Sequence, residues 1–497
     1  MITNLNSLAT YSSDFPWLSL LLLLLPTGAV LTLIQPVRAA RWSALTTTLL
    51  ALLISLMLVA GFKPELSGFQ YVERSVWISS LQVHYLLGVD GLSVLFLPFT
   101  CLLFSGVLLA SWNAIRRLPQ LFFALLLLLE TTLLGVFTAL DTLFFMLFWE
   151  LSLLPLYFLI SLWGAGPHRR YAAGKYVLFM LLGGIPLLFG FVVLALHHPQ
   201  GPNFDYTQLV TVVHDPWLQR VVFLLLLTGF AFKLPLVPFH SWLPVIAQEG
   251  PAAVIALVAG LKIGAYGLLR FAIPLAPQAA QELQWLLMGL GMLGLLYGAI
   301  AALGQSNLRG LLAFASISHV GLVVLGISSF TVQGLQGAVF QLLNFTLSAG
   351  GLLILLAYLH QRLGSCHLLS LGGAAQSMPL LAALFLALGL ASLGIPGSAS
   401  FPAEFLLISG VLQSHPGAGL LALFSLVLGA AGFLRAFRKA FWGECLQPAV
   451  ARAVDLTWRE RLVVVIFVLV LLIFGLYPQP LLDVIAQSAA DWLNGPR

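Results

Sequence analysis

Four residues carry the chemistry that this sequence offers: Glu150, Lys233, Lys262 and Glu404. Each stands in a strongly apolar run: Phe-Phe-Met-Leu-Phe-Trp-Glu150, Gly-Phe-Ala-Phe-Lys233, Ala-Gly-Leu-Lys262-Ile-Gly and Phe-Pro-Ala-Glu404-Phe-Leu-Leu. Charge in such surroundings is expensive and usually functional. The types present suit proton handling. A desolvated lysine gives up its proton readily, and a nearby carboxylate reverses that by stabilising the ammonium. Glu150 and Lys233 have the types for such a switchable pair, in contact directly or through one water. Lys262 lies about eleven residues inside its apolar run, too deep to reach the membrane surface easily. His319, also mid-run, has a side chain able to relay protons near neutral pH. It equally suits a buried histidine bonded to a backbone carbonyl, and the same two readings hold for His240. Glu130 either lines a proton path or makes a structural hydrogen bond. Lys175, Arg309 and Arg362 lie at helix starts or ends, where they set topology or meet lipid headgroups.

These residues must be positioned by helices that cross a bilayer. Of 497 residues, 60% are hydrophobic and only 8% charged, too few to solvate a globular protein of this size. Runs such as Leu20–Leu25 and Leu125–Leu129 do not alternate as lipid-facing β-strands would. A helical span needs about 20 apolar residues. Breaks at charged, Pro, Gly and Asn residues give fourteen spans: 16–35, 42–62, 90–112, 119–138, 140–163, 173–196, 218–240, 251–272, 283–304, 308–328, 334–360, 377–413, 416–440 and 460–482. The fold class is thus an all-α polytopic membrane protein, with the first run read as a retained helix. Prolines break the seventh and twelfth spans, at Lys233-Leu-Pro-Leu-Val-Pro-Phe-His240 and Leu393-Gly-Ile-Pro-Gly-Ser-Ala-Ser-Phe-Pro402. The two breaks lie five spans apart, an offset that reverses direction across the membrane. Two inverted five-helix repeats follow, 119–272 and 283–440, flanked by three helices in 1–118 and by a loop and last helix in 441–497. Paired broken helices point to a transport site. Loops on one side carry 15 Lys/Arg against 5 on the other, including Arg497, which puts both termini on the non-cytoplasmic side.

No Gly-rich phosphate loop follows a strand. Cys101, Cys366 and Cys445 lie far apart, so neither an iron–sulfur nor a structural zinc site is suggested. No cofactor is expected in this chain, so any redox chemistry belongs to partners, and the net charge of +5 comes from loops and need not imply nucleic acid.

Six stretches resemble the antiporter-like subunits of respiratory complex I. They are Phe148-Trp149-Glu150-Leu-Ser-Leu-Leu-Pro155-Leu-Tyr157, Phe232-Lys233-Leu-Pro235-Leu-Val-Pro238-Phe-His240-Ser-Trp242-Leu-Pro244, Gly260-Leu-Lys262-Ile-Gly-Ala-Tyr266-Gly-Leu-Leu-Arg270, Ala315-Ser316-Ile-Ser318-His319-Val-Gly321, Ala391-Ser-Leu-Gly394-Ile-Pro396-Gly397 leading to Glu404, and Gly475-Leu-Tyr477-Pro478-Gln479-Pro480. The resemblance covers about residues 80–482. It is closest to chain 4, the M- or D-type subunit, because span twelve carries Glu404 where sister subunits usually carry Lys. The chain also ends soon after span fourteen, which leaves no room for the long lateral helix of a chain-5 subunit. The resemblance implies that Glu150 and Lys233 form a switching ion pair, that Lys262 is the central proton carrier, His319 a connecting relay and Glu404 the terminal exit residue. It also implies a translocase complex whose quinone site and iron–sulfur clusters lie in other subunits. Its partners would include chain-5-like and chain-2-like membrane subunits and lipids.

The sequence departs from the family in three places. Leu-Pro-Asp-Ala-His after the seventh helix is Leu243-Pro244-Val245-Ile246-Ala247 here. Ser-His-Gly in span eleven is Asn344-Phe345-Thr346, and Asp-Leu-Lys-Arg before span ten is Asn307-Leu308-Arg309-Gly310. Such departures resemble the divergent chain-4 copies of cyanobacterial photosynthetic complex I. That likeness implies a thylakoid location, ferredoxin-driven plastoquinone reduction, CO2 uptake and a carbonic-anhydrase-like partner. Two other readings compete: a multi-subunit cation/proton antiporter without a redox partner, and a non-pumping membrane scaffold.

Overall fold

The computed structural model describes residues 9–212, 215–445 and 447–494. Arg497 and both chain ends, whose sidedness the basic-residue bias addresses, lie outside the described residues. Runs of Leu, Ala and Phe leave the main chain as the principal polar group, and a helix satisfies it internally. The chain accordingly begins with α1 (Trp17–Ile34) and α2 (Val37–Gly61). A hairpin of β1 (Gln70–Ile78) and β2 (Val83–Val89) follows, and then α3 (Phe96–Ser111), α4 (Pro119–Thr138), α5 (Thr142–Leu151), α6 (Leu153–Trp163), α7 (Arg169–Leu196) and the short α8 (Tyr206–Leu209). The first broken span is α9 (Pro216–Lys233) with α10 (Trp242–Glu249). Next come α11 (Ala252–Gly260), α12 (Ile263–Gly267) with a π turn at Leu268–Ala272, α13 (Pro277–Glu282), α14 (Gln284–Leu303), α15 (Leu308–Ser328) and α16 (Val332–Leu363). A short α17 (Ala374–Ser377) leads to the second broken span, α18 (Pro379–Ser392) with α19 (Ser400–Ser414). The chain closes with α20 (Pro416–Phe441), α21 (Pro448–Ala451), α22 (Trp458–Leu476) and α23 (Gln479–Asn494).

The scarce polar residues sit where helices begin. Asp141 accepts from Leu143 N and Phe144 N, Asp215 caps α9, Asn307 caps α15, and Thr457 with Glu460 forms a capping box on α22. Pro119, Pro216, Pro379 and Pro416 stand in first turns, where the missing N–H costs nothing. At the α14–α15 crossing the backbones nearly touch. A Cβ on Gly321 would lie 2.3 Å from Leu295 N, so only glycine fits. The 32-residue α16 is the axis of the bundle, packed against α3, α11, α15, α18, α19, α22 and α23.

Two expectations are corrected. The fold is not all-α, because β1 and β2 pair antiparallel between α2 and α3. Their sequence is rich in Val, Tyr and Ile and too polar to span. The last span stops at Leu476 rather than 482. The chain then bends by 68° into α23, whose Leu481, Ile485 and Ala489 make one buried face at helical spacing. Among the described residues, eleven helices are long and apolar enough to cross a membrane, or twelve if α22 with α23 is one span. The expected spans 90–112 and 377–413 correspond to α3 and to α18 with α19, pieces of 16, 14 and 15 residues.

Away from the bundle axis, Arg270 and Asp90 form a buried ion pair that joins the π turn to the start of the α3 segment. Nearby, α23 is pinned by Gly91 N donating to Ser488 Oγ (2.9 Å) and by Trp492 Nε1 donating to Leu269 O (2.7 Å). Removing one member of a buried pair leaves the other charge uncompensated. Asp90→Ala is expected to destabilise the protein by about 3–5 kcal/mol, read as a lowered thermal unfolding midpoint in detergent. Wild-type stability in that variant would show that solvent or lipid replaces Asp90.

Candidate functional site

Each deep lysine is held at a helix irregularity. α9 ends at Lys233, ahead of Pro235 and Pro238. Its Nζ donates to Trp149 O and to Ser152 Oγ, both at 2.9 Å, and lies 4.0 Å from the centroid of the Trp149 ring. Ser152 is itself the one-residue interruption between α5 and α6. Pro155 explains it, since a residue without an N–H leaves the carbonyl of Leu151 without its helical donor. Lys262 is placed the same way. The eighth span is not one continuous helix, as the sequence suggested, but breaks at Leu261–Lys262. The break frees the last carbonyls of α11, and Lys262 Nζ donates to one of them, Ala259 O, and to Ser316 Oγ of α15. The carbonyl end of a half-helix carries partial negative charge, which suits an ammonium.

Glu404 lies in the first part of α19, just past the second break, where Gly394 and Gly397 take positive φ. Its Oε1 accepts from Ser400 Oγ (2.8 Å) and Gln341 Nε2 (3.0 Å). Gln341 Oε1 in turn accepts from Asn344 Nδ2 (3.4 Å), so α16 carries the polar row on from Glu404. Phe345 follows. Its ring stacks on His319 with centroids 4.3 Å apart, and Lys262 Nζ is 5.8 Å from the same ring.

Two small cavities lie along this row. One of about 40 Å³ is lined by Ser152, Tyr176, Lys233, Trp242, Leu261 and Ile263, so it joins the first lysine to the break that holds the second. The other, also about 40 Å³, is lined by Ser316, His319, Ala349, Ser392 and Leu393 among others. It reaches the second broken helix one residue from Gly394, whose Cα faces Glu404 Oε2. A water needs roughly 10–15 Å³ of such space and polar partners. Both cavities have room for water and a hydroxyl on the wall.

The structure sets Lys233, Lys262, His319 and Glu404 along this row, and it places Glu150, Glu130 and His240 beside or outside it. Glu150 is not in direct contact with Lys233. Among the described residues no ion pair within 4.0 Å joins them. Glu150 Oε1 is buried without a partner against Gly184, while Lys233 bonds to the residues on either side of Glu150. Glu130 stands apart. It is fully buried, its Oε2 accepts from Thr48 Oγ1 of α2 (2.9 Å), and Cys101 of α3 adjoins it. His240 is in the first break but turns outward to α14, with Nε2 3.1 Å from Tyr297 Oη, and it lines neither cavity. Ser152, Ser316, Ser400 and Gln341 contact the charged groups although their residue types gave no signal. Among the described residues, no group of three His, Cys, Asp or Glu could hold a metal ion.

The broken helices and the buried charge row define the class, and sequence comparison agrees. The family described as "NADH:quinone oxidoreductase/Mrp antiporter, TM" matches residues 139–429. NADH-quinone oxidoreductase subunit M of Rhodobacter capsulatus is 34% identical over 467 residues, covering 91% of this chain and 90% of that protein. NAD(P)H-quinone oxidoreductase chain 4 1 of Synechococcus sp. (strain JA-3-3Ab) is 37% identical over 483 residues, covering 94% and 91%. A chain in the structure of respiratory complex I from Thermus thermophilus with bound NADH superposes with a TM-score of 0.87 at 33% identity, covering 96% of this chain and 99% of that one. The chain belongs to the subunit M/chain 4 family of antiporter-like integral membrane proteins.

Two glycines that face carboxylates differ in a way that thermal unfolding will rank. Gly394 has φ +71° and a Cβ there would lie 2.2 Å from Glu404 Oε2, so Gly394→Ala is expected to cost about 1–3 kcal/mol. Gly184 is in an ordinary helix, and its Cβ would meet only the flexible end of Glu150 at 2.2 Å. Gly184→Ala should therefore shift the carboxylate with well under half of that cost. Equal destabilisation by both would mean that Glu150 has nowhere else to go.

Proposed function

We propose that this chain is a proton-translocating membrane subunit of a quinone-reducing complex of the complex I type. The observation that carries the proposal is the row of Lys233, Lys262, His319 and Glu404, with one water-sized cavity lined by Lys233 and another lined by Ser316 and His319 that reaches the second broken helix. Glu150 acts on Lys233 from a distance and reaches it when either side chain swings. Lys262 is the central carrier and Glu404 the terminal group. Redox work, with its quinone and iron–sulfur clusters, falls to partner subunits, among them chain-5-like and chain-2-like neighbours. The chain makes fourteen crossings in two inverted repeats, 119–272 and 283–440, with both termini on the non-cytoplasmic side. The matching breaks α9/α10 and α18/α19 support the repeats.

In the finer reading the complex is the thylakoid form that reduces plastoquinone from ferredoxin and serves CO2 uptake with a carbonic-anhydrase-like subunit. The departures at Ala247 and Phe345 and the likeness to a cyanobacterial chain 4 support it. Purifying the complex from its source tests that reading. Co-isolation of a zinc-containing CO2-hydrating subunit is expected, and an NADH-oxidising complex without one overturns it.

The carrier role is tested in the assembled complex. Lys262→Ala should abolish proton translocation while the complex still assembles, and Lys262→Arg should fail too because guanidinium stays protonated. A normal gradient in Lys262→Ala membranes at normal quinone reduction rejects the assignment. A second comparison tests the route. His319→Ala should slow translocation more than Phe345→His speeds it. Pumping that is indifferent to His319→Ala favours the scaffold reading.

A further inference from the structure

Among the described residues, Lys262 has no titratable partner in hydrogen-bond contact. Its Nζ meets Ala259 O, which cannot take a proton, the aromatic face of Phe345, which cannot either, and Ser316 Oγ, which can exchange one. Ser316 is also on the wall of the His319 cavity, whereas Lys262 is not among the residues that line it. The hydroxyl thus stands between the ammonium and a water-sized space on the Glu404 side.

We propose that Ser316 takes the proton of Lys262 and passes it into the cavity beside His319, around the Phe345 ring. The inference rests on the reading of Lys262 as a proton carrier. In the step, the Lys262 ammonium gives a proton to Ser316 Oγ while the Ser316 hydroxyl releases its own to a cavity water. Lys262 is left as the amine, the serine is unchanged and the water carries the proton. Ser316 Oγ now donates weakly to Ala259 O at 3.4 Å, so turning it toward the cavity gives up little. Ser152 stands in the same relation to Lys233: it accepts from the ammonium and lines the other cavity.

The test uses the intact complex in proteoliposomes, with gradient formation and quinone reduction followed in H2O and D2O. Ser316→Ala is expected to slow translocation by at least about tenfold, the scale of a lost proton-transfer group, and to raise the solvent isotope ratio. Ser316→Thr, which keeps the hydroxyl, should stay within about twofold of wild type, well short of that scale. Ala349→Leu fills the cavity from α16 while leaving Lys262 and Ser316 themselves unsubstituted, and it should slow translocation as well. Wild-type rates in Ser316→Ala overturn the proposal. A slowed Ser316→Ala with an unchanged isotope ratio also overturns it, because the serine then only anchors Lys262. If Ser316→Ala does not assemble, wild-type pumping by Ala349→Leu overturns it instead. Lys262→Ala runs alongside: undiminished pumping there rejects the carrier reading itself, whereas its loss with normal Ser316→Ala pumping rejects the serine alone.

Discussion

An ammonium inside an apolar bundle must be given acceptors, and the bundle has few side chains to spare for it. With 39 Asp, Glu, Lys and Arg in 497 residues, most of the available polarity is main chain. A continuous helix hides that polarity in its own hydrogen bonds. A broken one releases it. The breaks at Ser152 and at Leu261–Lys262 are therefore what permit the lysines to sit where they do. Ala259 O and Trp149 O are the released or shared carbonyls that receive them. The prolines and glycines that disrupt these spans and the charges within them are two sides of one constraint.

The same constraint explains why the acidic members differ. Glu404 is given donors, Ser400 Oγ and Gln341 Nε2, and is fixed beside the positive-φ Gly394. Glu150 is given no such donors for Oε1, which rests on the bare Cα of Gly184. A fixed carboxylate suits a terminus, and one without partners suits a group that swings. In this structure the Glu150 carboxylate and the Lys233 ammonium therefore do not pair directly.

What the sequence made legible follows from how strongly each signal is forced. A lysine eleven residues inside an apolar run has no inexpensive explanation, so Lys233, Lys262 and Glu404 stood out at once. The proline-marked breaks of the seventh and twelfth spans were equally plain. The break at Lys262 was not, because glycines at 260 and 264 also occur in unbroken membrane helices. Facing was illegible within an apolar run. Leu129 and Leu133 line the Lys233 cavity, while Glu130, about 100° further round α4, turns to Thr48 instead. The hairpin gives no signal of its own, because its twenty residues between the expected spans 42–62 and 90–112 look like a connection among long apolar runs. Serine partners were invisible, since hydroxyls are common in membrane helices and most bond to their own backbone, as Ser105 and Ser161 do here.

The aromatic neighbours of the two lysines sharpen the division of labour. Trp149 presents its ring to Lys233 at 4.0 Å and Phe345 faces Lys262 at 5.8 Å. A ring face stabilises a cation through its quadrupole and offers no lone pair for a proton. Such a wall holds the charge and blocks its transfer in that direction. Phe345 does so between Lys262 and His319, whose ring it stacks against with an interplanar angle of 7°. Among the described residues, the exchangeable group in contact with each lysine is a serine, Ser152 or Ser316, and each lines a water-sized space. An aromatic residue at position 345 therefore does not close the row. In the proposed relay, the conducting contact is the hydroxyl beside the ring.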